Sequence, residues 1–278
     1  MRIAKLIVAV ASVLSMASVA GGQMRESATA PPKLVVLVYQ RFAFEKTAEI
    51  DQWEIGAARA CQGLDVPNSW IVMDSVTGEP EALSFDPFDS FEQMEKPVAE
   101  WGAIYAAHPE LGRLQAQIMT ALTSQRTVIA VRRDDLSYRA SRIDLSKARF
   151  MRVLEVRLHP GREEDFEEAF EKLSAAYEKA QSDLPWVVYQ VNLGTPSPTF
   201  LAFVPMRAVG QNDDLLRSHA SVLAAEGEAA ERMQQIAREA YASMESNLYA
   251  VKPKKSHVSA GFAAGDPEFW GASTGTAK

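Results

Sequence analysis

Trp70-Ile-Val-Met-Asp-Ser-Val-Thr-Gly-Glu-Pro80 and Trp186-Val-Val-Tyr-Gln-Val-Asn-Leu-Gly-Thr-Pro196 are one phrase written twice. An offset of 116 positions (186 − 70) places Trp70 on Trp186, Val72 on Val188, Gly78 on Gly194 and Pro80 on Pro196. A two-residue insertion near Pro196-Ser197-Pro198 then pairs Phe85 with Phe203 and Pro87 with Pro205. Further on, Ala130-Val131-Arg132 answers Ala250-Val251-Lys252. A repeat of this length fixes architecture before any local reading does, and it leaves the chemistry open.

Working outward, each copy reads as the same order of elements. In the first, Leu34 to Val38 is a short β-branched strand, and Glu45 to Gln62 is a helix stopped by Gly63. Trp70 to Met73 and Glu81 to Phe85 are strands around the turn Thr77-Gly-Glu-Pro80. Asp89 to Leu122 is helical with breaks, Pro97 and Pro109 each suiting a helix start, and Thr127 to Val131 is a strand. In the second copy, Phe150 to Leu158 is a strand and His159-Pro-Gly161 a turn. Glu163-Glu-Asp165 then opens a helix whose dipole favours acid there. Phe166, Ala169, Phe170, Leu173, Tyr177 and Ala180 form its apolar stripe. Trp186 to Leu193 and Thr199 to Val204 are strands. Asn212 to Ser246 is helical with a break at Gly227, and Leu248 to Lys252 is the last strand, ended by Pro253.

The order β-α-β-β-α-β, twice, predicts an α+β protein of two ferredoxin-like units, residues 33–134 and 149–252, joined by a polar linker, 135–148. Such a sheet carries its helices on one face and must cover the other, and two copies in one chain can cover each other sheet to sheet. Residues 253–278, rich in Gly, Ala and Ser, read as a loose tail from which Phe269 and Trp270 can pack back.

Residues 1–20 read as a secretory signal peptide. Arg2 and Lys5 precede an apolar run from Leu6, and Ser18-Val-Ala20 is a small-x-small cleavage signal. The run is short for a membrane span. Export to the periplasm or the extracellular space follows, with 21–32 a disordered leader and no stable membrane insertion after cleavage. Losing Arg2 and Lys5 leaves 27 Lys and Arg against 36 Asp and Glu, a net charge of −9. With no basic cluster interleaved with aromatics, this balance argues against a nucleic-acid partner. Cys61 is the only cysteine, so an internal disulfide is impossible, and its place on a helical apolar pattern gives it a buried role.

Leu158-His-Pro-Gly-Arg-Glu-Glu-Asp-Phe166, leaving a strand and opening an acidic helix, resembles the dimeric α/β-barrel proteins. These include antibiotic-biosynthesis monooxygenases, stress-responsive barrel proteins and, more distantly, chlorite dismutases. The resemblance spans Lys33 to Lys252 and implies a central barrel made by two ferredoxin-like units, with a small-molecule cavity. In the first repeat Arg41-Phe-Ala-Phe44 stands where the Pro-Gly turn would be. The chain is either a monomeric pseudo-dimer or a homodimer.

Strand side chains alternate between faces. Glu155 and Arg157 share the face of Val153, and their repeat partners are Leu37, Tyr39 and Arg41. The same parity groups Trp70, Val72 and Asp74, and Trp186, Val188 and Gln190. All are expected to face the barrel, where a few polar groups in an apolar pocket suit a ligand. Two alternatives stand beside this reading. Glu155 and Arg157 can simply neutralise charge, and Trp70 and Trp186 can be matched core plugs.

His219 pairs with Trp101 across the repeat and is the candidate acid/base or haem ligand. Tyr39 and Glu155 are the other weak catalytic candidates. His/Asp/Glu spacing for a metal, a Gly-rich phosphate loop, a serine elbow and CxxC are all missing from the sequence. The expected function is binding of a small, partly apolar molecule in a barrel cavity, with no cofactor. A cofactor-independent monooxygenase- or isomerase-like enzyme is the alternative, and haem bound through His219 the weaker one.

Overall fold

The computed structural model of the chain describes residues 29–271, apart from the side chains of residues 223 and 224. The signal peptide 1–20, residues 21–28 of the leader and residues 272–278 of the tail lie outside them.

Eight antiparallel strands close into one barrel in the order β1-β3-β2-β8-β5-β7-β6-β4. The first repeat supplies β1 (Leu34–Phe42), α1 (Thr47–Ala60), β2 (Ile71–Ser75), β3 (Glu81–Phe88), α2 (Phe91–Ala107), α3 (Pro109–Ala121) and β4 (Leu122–Tyr138). The second supplies β5 (Phe150–Leu158), α4 (Glu163–Lys179), β6 (Trp186–Leu193), β7 (Thr199–Met206), α5 (Gln211–Glu226), α6 (Glu228–Ala240) and β8 (Tyr241–Val251). Each half is a four-stranded sheet with its helices outside. The halves join where β2 pairs with β8 (Met73 opposite Val251) and β4 with β6 (Val131 opposite Gln190). Closure removes the free edges that two open sheets would expose.

The broken helices follow the sequence in part. Pro109 opens α3 and Gly227, at φ 44°, separates α5 from α6. Pro97, expected at a helix start, lies inside α2, which is capped earlier by the Ser90 hydroxyl accepting from Gln93 N at 3.3 Å. The last strand of each repeat is longer than its composition suggests. β4 runs on to Tyr138, into the expected linker, and β8 begins at Tyr241, where a helix was expected to continue. Both strands have partners on two sides, and the ladder of β8 on β5 from Tyr241 to Ala250 overrides a weak local preference.

Parity decides the core. Leu37, Leu83, Phe85, Val153, Val187, Tyr189, Leu201 and Phe203 point inward and are buried. The repeat partners Phe85 and Phe203 meet edge to face, centroids 5.8 Å apart. One end of the barrel is stopped by Leu145, Ala148, Phe262 and Trp270. Residues 253–271 are therefore no loose tail. α7 (Ala260–Ala263) and α8 (Pro267–Trp270) dock, and Trp270 is fully buried with Nε1 donating to Ser146 O at 2.8 Å. The end of the leader is held as well: Pro32 O accepts from Tyr189 Oη at 2.9 Å and Thr29 O from Leu145 N at 2.8 Å.

Candidate functional site: two helix-covered cavities

The barrel interior is filled rather than hollow. Voids within it and at its ends measure about 10, 20 and 50 Å³, room for one to a few waters each. The expected barrel cavity is replaced by two larger ones on the outer face, one per repeat, between sheet and helices. Cavity one, about 340 Å³, lies under α1, α2 and α3; cavity two, about 380 Å³, lies under α4, α5 and α6.

The two are copies by position. Val38, Trp70, Ser84, Asp86 and Trp101 line the first. Their repeat partners Leu154, Trp186, Ala202, Val204 and His219 line the second. On the covering helices Glu54, Ala57 and Cys61 answer Phe170, Leu173 and Tyr177 in the same way. The fold builds one pocket twice, and the side chains have since diverged in polarity.

Cavity two is apolar. Leu154, Phe170, Leu173, Trp186, Leu216 and Met233 supply its walls. Trp186 is a plug as well as a wall: Nε1 donates to Leu136 O at 3.0 Å and its ring stacks on Tyr138 at 4.8 Å. Its polar lining is Arg152, which donates to Ser246 Oγ at 2.8 Å, Gln234, and His219, whose Nδ1 lies 3.3 Å from Tyr177 Oη. Desolvation first, and Arg152 second, hold the His219 pKa below its ordinary value, so the imidazole is neutral at pH 7.

Cavity one is polar. Asp86 is held by Ser84 Oγ at 2.5 Å and, at the long limit of 3.5 Å, by Asn68 Nδ2. Asn68 Oδ1 accepts from Trp101 Nε1 at 2.8 Å, which fixes the amide. Burial pushes the Asp86 carboxyl up to about 7, the Ser84 hydrogen bond opposing it. Burial likewise pushes the Cys61 thiol up to about 11, which makes it inert as a nucleophile.

At the other end of the barrel Tyr39, Arg41 and Glu155 of the expected charged set come together, without Arg157. Arg126 clamps Glu155 with two bonds, 3.0 and 2.8 Å, and lies 4.4 Å over the Tyr39 ring. Arg41 Nε donates to Glu81 at 3.0 Å, and Tyr249 Oη to the same carboxylate at 2.8 Å. Burial and the nearby Glu155 raise the Tyr39 pKa. Glu81 and Glu155 each have a cation on them, Glu245 lies at the same end, and the gap among them is about 20 Å³, so the set closes the barrel end.

The expected orientation of the tryptophan strands is overturned. Trp70, Asp74, Trp186 and Gln190 face the helices, because Ile71, Met73, Val187, Tyr189 and Val191 fill the barrel. Asp74 belongs to an ion cluster: Lys255 Nζ sits 2.9 Å from Asp74, 2.9 Å from Glu54 and 2.5 Å from Asp51. Those three carboxylates are close enough for a metal ion, but the ammonium occupies their centre. Gln190 accepts from Arg133 at 2.8 Å. Arg157 is exposed and outside both cavities. Trp101 and His219 are brought to equivalent walls. Sequence reasoning missed Asp86, Asn68, Tyr105 and Tyr177. The repeat alignment carried the signal for Asp86, since Ser84-Phe-Asp86 answers Ala202-Phe-Val204.

No family model and no curated protein matches the sequence. Solved structures do match the fold. An anthrone oxidase-like protein superposes with TM-score 0.54 at 16% identity, over 79% of this chain and 91% of that one. A proposed monooxygenase from Lactobacillus acidophilus NCFM gives 0.48 at 7%, over 81% and 95%. A mutant chlorite dismutase from Candidatus Nitrospira defluvii gives 0.48 at 9%, over 83% and 96%. The fold is that of the dimeric α/β barrel. Here both ferredoxin-like units lie in one chain, so the barrel closes without a second copy.

Proposed function

We propose that this is an exported protein that holds a small, flat, largely apolar molecule in cavity two. The observation that carries the reading is the cavity itself: about 380 Å³, walled by aliphatic and aromatic side chains, with His219 and Tyr177 offering one hydrogen-bonding edge. An apolar ligand displaces water from the aliphatic and aromatic wall, and the His–Tyr pair orients one oxygen or nitrogen of it. Export is supported by the apolar run and cleavage signal of residues 1–20.

A catalytic role is the second reading, favoured by one feature: a neutral imidazole on the wall of a largely apolar pocket can accept a proton from a bound carbon acid or phenol. Haem is a weaker form of it. The donor set fits in outline, with His219 the one imidazole and Arg152 the one cation among the lining residues, suited to iron and to a propionate. Haem bound there would supply oxygen and peroxide chemistry.

Anthrone, a flat tricyclic ketone, is the first probe. It is expected to bind one site per chain by calorimetry, to bind more weakly to His219→Ala, and to be blocked in Ala237→Trp, where an indole fills the cavity. Failure of both anthrone and anilinonaphthalene sulfonate to bind native protein, or undiminished binding to Ala237→Trp, overturns the reading. A visible absorption band on adding haem, lost in His219→Ala, moves the assignment to the haem alternative.

A further inference from the structure

Cavity one holds a carboxyl group that has no counterion among the described residues. Asp86 projects from β3 between the sheet and α2, and its partners are a hydroxyl and a distant amide, both neutral. Every other carboxylate that lines this cavity is matched: Glu54 is the second, and Lys255 Nζ lies 2.9 Å from it. Lys255 is also shared with Asp51 and Asp74, so it has no surplus charge to offer Asp86. A carboxylate enclosed this way is expensive to ionise unless a cation arrives from outside.

The rest of the wall suits such a cation. Trp70, Trp101 and Tyr105 form a run of ring faces, with centroids 6.1 Å and 5.3 Å apart along it. Aromatic faces attract cations and stack flat groups. Asn68 ties this run to the carboxyl, since one end of its amide takes the Trp101 indole and the other approaches Asp86. Gln40, Gln115 and Gln125 add neutral acceptors and donors. The repeat comparison shows that this is a local choice: at the two positions where cavity two has Ala202 and Val204, cavity one has Ser84 and Asp86. Packing in this fold does not require a carboxyl here.

We propose that cavity one is a separate binding site for a small organic cation, of the aromatic amine or amidine class, with Asp86 as its counterion and Trp101 and Tyr105 as its stacking wall. The unliganded pKa of about 7 for Asp86 makes the site dependent on pH. A permanent cation binds the ionised carboxylate, so affinity rises as pH rises through that value and levels off above it. The other titratable groups facing the cavity are Glu54 and Cys61 of α1, Tyr105 of α2 and Lys255; His257 stacks on Trp70. Cys61 and Tyr105 are shifted up and stay neutral, Lys255 is shifted up and stays charged, and burial shifts His257 down. Glu54 is shifted up, by burial first, which moves it toward Asp86.

The test is calorimetry of the full chain with benzamidine and with its neutral isostere benzamide, from about pH 5.5 to about pH 8.5. Benzamidine is expected to bind about tenfold or more tightly than benzamide at the upper end, and to lose about tenfold toward the lower end. Asp86→Asn keeps the shape and the Ser84 contact and removes the charge. It is expected to cancel both the preference and the pH step, which assigns the step to Asp86 rather than Glu54. Equal binding of the two probes, a flat pH profile, no binding of benzamidine at millimolar concentration, or a pH step that survives in Asp86→Asn each overturns the proposal. The wild-type pH profile and the benzamide comparison decide the matter even if the variant fails to fold. Anthrone binding in cavity two is unaffected by Asp86→Asn, so the two sites are read independently.

Discussion

Trp101 and His219 occupy the same position in the two repeats, and each lines its own helix-covered cavity with a ring nitrogen already engaged. Trp101 Nε1 donates to Asn68 at 2.8 Å, and His219 Nδ1 meets the Tyr177 hydroxyl at 3.3 Å. One fold position thus stiffens an amide beside a carboxyl in one half and presents an imidazole to an apolar pocket in the other.

The His219 environment predicts a pH dependence of stability. Its folded pKa lies below the unfolded value because burial disfavours the imidazolium, with Arg152 adding repulsion. A depressed pKa contributes stability that is present above the unfolded value of about 6.5 and is lost as pH falls through the folded value. NMR titration of the His219 ring should give a midpoint below that of a free histidine, and urea unfolding should show His219→Gln less sensitive to acid than wild type. A ring that titrates at or above about 6.5 would contradict the buried, neutral assignment.

The repeated turn predicts a steep cost at one glycine. Gly194 has φ +98°, and a Cβ there would lie 2.0 Å from Thr127 O and 2.9 Å from Val128 Cα, backbone atoms of β4. Gly161 has φ +80° with open space around it. Gly161→Ala therefore costs only the left-handed backbone penalty, about 1 kcal/mol, whereas Gly194→Ala costs about 2–4 kcal/mol because β4 must move away from β6. Denaturant midpoints of the two variants check the ratio, and equal losses would rule out the close approach.

The architecture was legible because a repeat announces itself in residues with no freedom to vary, such as Trp70/Trp186 and Gly78/Gly194. The face of a strand was legible only where one parity was uniformly apolar and the other charged. In β5 the set Val153, Glu155 does face inward, as charge at a barrel end shows. In β2 and β6 the tryptophan parity mixes apolar side chains with Asp74 and Gln190, which read as cavity groups, although the uniformly apolar parity, Ile71 and Met73 with Val187, Tyr189 and Val191, is the one that fills the barrel. The larger side chain went to the helix side, where there was room for it. Nor could composition reveal that Pro253 to Gly271 is structural, because the element that fixes it is one buried lysine and one buried tryptophan.

That lysine gives a third prediction. Lys255 is 4% exposed and offsets three carboxylates that would otherwise repel one another. Burial lowers its pKa, but Glu54 and Asp74 more than compensate, so the folded value is raised and its stabilisation persists until pH climbs above the unfolded value. Lys255→Met leaves the carboxylates unneutralised and should cost about 3–5 kcal/mol at pH 7. The loss should shrink as pH falls and the carboxyl groups, Glu54 first because burial already raises it, take up protons. Urea unfolding at about pH 7 and about pH 5 measures this, and a deficit that does not shrink in acid would mean that packing of the lysine stem outweighs its charge.

The C-terminal segment gives the fourth. Trp270 is fully buried against Phe262 and Phe269, with its indole nitrogen bonded to Ser146, so Trp270→Ala should cost about 3–5 kcal/mol through the cavity and the orphaned carbonyl it leaves. Phe269 is only part-buried and carries Arg149 3.7 Å over its ring, so Phe269→Ala should cost about 1–2 kcal/mol. Ending the chain at Lys252 removes Lys255, Phe262 and Trp270 together. That truncation should expose the barrel end formed by Leu145 and Ala148 and should unfold at a lower urea concentration than the full chain minus residues 272–278. If the truncated chain unfolds at the same urea concentration as the intact one, the barrel is closed by its strands alone and the docked segment is an ornament on it.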